Sequence, residues 1–183
     1  MPDTHGLNRQ QWDEKLSALG AGFRAMNVEA SLEIIGAWPV IEAGMPGRTS
    51  LDLDVWAPGS KVDRSALRAA CATAGLDFDP INETERPYLQ LIRPGIVELP
   101  EHLPQDADTW GGLTITVPPP AALAAAKLIR AEDKDIADVI FLCSKHGIGR
   151  EAVSSYVEKI ADPAKRETAR ENLVYLNVSE RGK

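Results

Sequence analysis

The chain has 183 residues, 44% of them hydrophobic and 26% charged, which suits one globular domain or one domain with a small helical appendage. A formal net charge of −7 argues against broad, sequence-independent binding to nucleic acid, while leaving room for a local basic patch. No apolar run approaches the roughly 20 residues that span a bilayer. The polar N-terminus lacks a charged-then-apolar signal pattern, so the expectation is a cytoplasmic protein without a membrane partner.

Asn8 to Met26 reads as a helix, with Trp12, Leu16, Leu19 and Phe23 at three- and four-residue steps. Ser31 to Ile35 is the first strand. Gly36 turns the chain, and Pro39 suits the first turn of a short helix ending near Gly44. Leu51 to Trp56 is the second strand. Asp63 to Ala74 forms an amphipathic helix, with Gly75 as its C-cap.

Asp77 to Arg86 is polar and reads as a loop. Tyr88–Ile92 and Ile96–Leu99 flank Arg93-Pro94-Gly95, which predicts a hairpin. Pro100 to Gly112 reads as a longer loop, and Leu113 to Val117 as another strand. After Pro118–Pro120 the pattern is helical: Pro120–Ala131, Lys134–Lys145, Arg150–Ile160 and Pro163–Leu176. The outline is α/β in the α+β sense. A small mixed sheet with helices occupies residues 1–118, and a helical part occupies 119–183. Cys71 and Cys143 each sit in an apolar helical pattern and read as buried, reduced thiols.

The spacing Asp-x-Asp occurs four times, at 52/54, 77/79, 106/108 and 133/135. Only Asp52 and Asp54 interrupt an apolar strand that follows a strand-glycine-helix unit. Alternate residues of a strand share a face, so Leu51, Leu53 and Val55 point to the core and the two acids away from it. Two adjacent carboxylates repel each other and lose hydration. A divalent cation with a taste for oxygen, such as Mg²⁺, would relieve both penalties; an edge strand with a wet face is the plainer alternative.

Glu98, in Ile96-Val97-Glu98-Leu99, would join the same cleft if its strand lay beside Leu51–Trp56; otherwise it faces solvent at a strand end. The Gly36 turn could bring backbone N–H groups to a phosphate. Arg48, four residues before Asp52, could place positive charge near a triphosphate or be a loop arginine. Lys127 sits in the alanine-rich helix 121–131, either reaching into a cleft or extending to solvent. Asp135 and Asp138 share a helix face beside Lys134, as an ordinary charged face also would. His5, His102 and His146 fall in loops or helix ends and form no catalytic set.

The order Gly36, Arg48, Asp52-x-Asp54, Val97-Glu98, Lys127-Leu128, Lys134-Asp135-x-x-Asp138 resembles minimal nucleotidyltransferases of the DNA polymerase β superfamily. Within it the chain looks most like AbiEii-type toxins of toxin–antitoxin and abortive-infection systems. The resemblance spans roughly residues 30–142. It implies a polymerase-β-like sheet flanked by helices, with the helical C-terminal third completing the site.

By that resemblance, Asp52, Asp54 and Glu98 would hold Mg²⁺. Gly36, Ala37, Arg48 and Ser50 would handle the nucleotide, together with Lys134 and Asp135. Lys127 would contact phosphates or the acceptor, and Asp138 would complete the catalytic set. The implied reaction moves a nucleoside monophosphate from a nucleoside triphosphate to a hydroxyl of tRNA or of a protein, with a cognate antitoxin as a further partner. The chain departs from the superfamily at the turn: Ala37 stands where a second Gly or a Ser is usual. A catalytically degenerate module that binds a nucleotide or a partner is therefore the alternative reading.

Overall fold

The computed structural model describes residues 6–82 and 84–177. His5 and the first residues of the N-terminal segment lie outside this range. Among the described residues are seven α-helices and six strands, a mixed α/β protein with small sheets. They form two compact units. One comprises the described residues up to Arg93 together with Pro104–Val117; the other comprises Pro94–Leu103 and the described residues from Pro118 on. The division at 118 lies where the proline run predicts a break, but Pro94–Leu103 goes with the helices rather than with the sheet.

In the first unit, helix α1 (Arg9–Ala25) begins at a capping box: the Asn8 side chain accepts from Gln11 N–H, and the Gln11 side chain accepts from Asn8 N–H. Its apolar stripe buries Trp12, Leu16, Leu19 and Phe23 completely. Helix α3 (Arg64–Ala74) starts on the Asp63 cap and ends at Gly75 in the left-handed region, burying Leu67, Ala70 and Cys71 against the same core. Burial raises the Cys71 thiol to about 12, so it stays protonated and inert.

Strand β1 (Ala30–Glu33) runs parallel to β6 (Leu113–Val117), which pairs antiparallel with β5 (Gln105–Trp110). Strand β2 (Asp52–Trp56) runs parallel to β4 (Tyr88–Ile92), and β4 in turn pairs with the two-residue β3 (Asp77–Phe78). An antiparallel bridge, Ile34 to Val55, links β1 to β2, with Ile35 N–H donating to Asp54 O. Short helix α2 (Trp38–Glu42) fills the connection between them. Leu32, Ile34, Leu53, Val55, Leu89, Leu113 and Ile115 form the core face under the two long helices.

Three sequence expectations need correction here. No hairpin follows β4. The segment 96–99 is not a strand, and β4 takes both of its partners in parallel. Pro94 lacks the N–H that a returning ladder would use, and the chain leaves the sheet there. The loop read over 100–112 contains β5, whose residues are exposed along most of its length. Such a polar edge strand is held by its ladder to β6, not by an apolar face, so periodicity does not reveal it. The loop over 77–86 likewise contains β3.

The second unit packs α4 (Pro120–Arg130), α5 (Asp133–His146), α6 (Arg150–Val157) and α7 (Pro163–Asn172), followed by a 3₁₀ turn over Leu173–Asn177. Its core joins Ala124, Ala125 and Leu128 to Val139, Val153, Val157, Ile160 and Leu173. The small alanines bring α4 close to its neighbours. Asp162 caps α7 by accepting from Ala164 and Lys165 N–H. Among the described residues, no helix is long and apolar enough to cross a membrane.

Candidate functional site

β2 carries the acidic pair as its alternation requires. Leu53 and Val55 are fully buried, while Asp52 and Asp54 are half-buried on the opposite face. The Ser50 hydroxyl donates to Asp52 Oδ1. Arg48 Nη1 donates to Thr49 O at 2.8 Å. Gly36 adopts φ +72°, and a Cβ built on it would stand 2.2 Å from Asp54 Oδ2. The turn therefore requires glycine twice over, for its backbone conformation and for the carboxylate lying against it. These five residues, Gly36, Arg48, Ser50, Asp52 and Asp54, lie in the first unit, as does Ala37.

The phosphate-binding expectation at the Gly36 turn gains little from α2. That helix has five residues, Ala37 caps it with no side-chain bond, and Pro39 removes a donor from its first turn. Trp38 beside the turn belongs to the core, with 2% exposure.

Two residues absent from the sequence expectation sit beside the acids. In the parallel β2–β4 ladder, Tyr88 is the register partner of Asp52 and Gln90 that of Asp54. Partners in a ladder present their side chains on one face, and Leu53 and Leu89 confirm the phase by both pointing into the core. Burial raises the Tyr88 hydroxyl above its ordinary value, and the charges of Asp52 and Asp54 add to the shift. The alternation of Tyr88 and Gln90 with Leu89 is visible in the sequence; which strand they face is not.

Glu33 on β1 is another acid that the sequence reading missed. It is 1% exposed and packs so tightly under Gly59 that a Cβ there would lie 1.5 Å from its Oε2. Its N–H donates to the Ser60 hydroxyl at 2.9 Å. A buried acid inside an apolar strand carries no periodic signature.

Glu98 does not fill the role of a third acid on a neighbouring strand. It lies in the second unit, outside any strand, and its Oε1 is 3.4 Å from Lys165 Nζ on α7. The expectation failed because the hairpin that would have carried it does not form.

The Lys127 motif is a buried ion-pair network. Lys127 Nζ donates to Asp138 Oδ2 at 2.8 Å and lies 3.8 Å from Asp135 Oδ1. The lysine side chain is 9% exposed and that of Asp138 0%, so the lysine neither snorkels to solvent nor stands alone. Arg130 grips Asp135 through two bonds, Nε to Oδ2 at 2.6 Å and Nη2 to Oδ1 at 2.9 Å. Burial pushes the Asp135 carboxyl up, but Arg130 and Lys127 together outweigh it and hold the group below its ordinary value. Lys134 is exposed and pairs with Glu132 at 3.6 Å.

Among the described residues, no group of three or more His, Cys, Asp or Glu side chains is arranged to hold a metal ion. The Asp52 and Asp54 carboxylates, and the Ser50 hydroxyl that donates to Asp52, are hard oxygen donors, the ligand type that Mg²⁺ prefers. Compared with known proteins, the chain matches no family model, no curated sequence and no solved structure.

Proposed function

We propose that the chain is a Mg²⁺-dependent nucleotidyltransferase with a polymerase-β-like sheet, moving a nucleoside monophosphate from a nucleoside triphosphate to a hydroxyl of tRNA or of a protein. The observation that carries this reading is the seating of Asp52 and Asp54 on one face of β2, with a glycine turn at φ +72° pressed against Asp54. The strand-turn-helix-strand unit brings its glycine turn against the Asp54 carboxylate so closely that no side chain fits there, which supports a role for that carboxylate. A merely wet strand face gives no reason for such an approach.

In the reaction, the acceptor oxygen forms a bond to the α-phosphorus while the bond from that phosphorus to the bridging oxygen breaks. Pyrophosphate leaves with the electron pair, and the hydroxyl proton passes to water. A bound cation supplies charge neutralisation for the phosphates. Asp52 and Asp54 would hold that cation, Ser50 orients Asp52 through its hydrogen bond, and the lack of a side chain on Gly36 leaves room for the Asp54 carboxylate. Little further covalent chemistry is asked of the protein, because positioning and electrostatics supply most of the rate. In this reading Lys127, Asp135 and Asp138 form a framework that sets the geometry of α4 against α5, and an antitoxin-paired toxin is the biological setting.

The test is incubation with each labelled nucleoside triphosphate, Mg²⁺, and total RNA or protein. Transfer that is lost in Asp52→Ala supports the reading; no transfer from any triphosphate to any acceptor counts against it. A second reading, a catalytically silent nucleotide- or partner-binding module, draws on Ala37 at the turn, where a second Gly or a Ser is usual in the family the chain resembles. Calorimetry with nucleotide and Mg²⁺ separates the two, since tight binding without turnover favours the second.

A further inference from the structure

We draw no further inference here: the strongest candidate, the side-chain cluster that Asp13 of α1, Glu42 of α2 and Asp108 of the edge strand β5 form around Arg9, is an acidic cluster whose one arginine is already bonded to Glu42, and nothing in the structure shows what ligand or partner would cover it.

Discussion

Gly36 and Asp54 are in contact across the turn between the first two strands. Gly36 has φ +72°, and the space that its Cβ would fill is taken by the Asp54 carboxylate, 2.2 Å away at Oδ2. Gly36→Ala therefore meets two penalties, a left-handed backbone costing about 1–2 kcal/mol for an L side chain and a displaced carboxylate. The expected outcome is a lower unfolding midpoint in urea and, separately, a loss of Mn²⁺ affinity larger than the stability change explains. An alanine variant that loses stability but binds the ion as the wild type does would show the contact to be structural only.

Asp52 and Tyr88 face each other across the β2–β4 ladder, and the tyrosine hydroxyl is raised by burial, by Asp52 and by Asp54. Replacing Asp52 with Asn removes one of those charges, so the phenol should titrate at lower pH. A cation bound at the pair should move it in the same direction. The raised group favours the fold below the ordinary tyrosine value, near 10, and that favour is lost as pH rises through its own titration. Ultraviolet phenolate absorbance measures the effect, and Tyr88→Phe assigns it among the three tyrosines of the chain. An unchanged titration in Asp52→Asn would mean that the two side chains do not face each other.

The elements with strong apolar periodicity were legible in the sequence. Trp12, Leu16, Leu19 and Phe23 mark α1, and the alternation of Asp52 and Asp54 with Leu53 and Val55 marks both β2 and its two faces. The polar stretch Gln105–Trp110 conceals a strand because an edge strand draws its order from backbone bonds to β6. Pairing partners were hidden for a related reason. The pattern of Tyr88–Ile92 says that it is a strand, but not that it lies parallel to β2 with Tyr88 and Gln90 as the register partners of the two acids. Lys127 carried an ambiguous signal. A cation in an alanine-rich helix is compatible with a cleft, a snorkel or a buried pair, and only the packing of α4 against α5 selects the pair with Asp138.

Lys127 and Asp138 form a pair in which the aspartate is fully buried and the lysine nearly so. Removing one partner leaves a charge uncompensated, so Lys127→Met should cost about 3–5 kcal/mol, while the double change to Met and Leu should recover much of the loss. Urea unfolding of the two single variants and the double variant gives the coupling directly. If Lys127 instead serves phosphate, Lys127→Met would abolish nucleotide binding while leaving the unfolding midpoint nearly unchanged.

Asp135 gives the helical unit a pH dependence of known sign. Burial alone would raise its carboxyl, but the two bonds from Arg130 and the charge of Lys127 hold it below the ordinary value of 3.8. A depressed carboxyl stabilises the fold while it is ionised, so its contribution is present above about pH 4 and is lost as pH falls through its own lower titration. In Arg130→Gln the two bonds are gone and burial dominates, so the carboxyl rises and the loss begins at higher pH. Urea midpoints measured at steps between pH 6 and pH 3 should therefore diverge between wild type and variant as acid is added, the variant falling first. Parallel curves would show that Arg130, more than half exposed at its side chain, contributes too little through its two bonds to set the Asp135 titration.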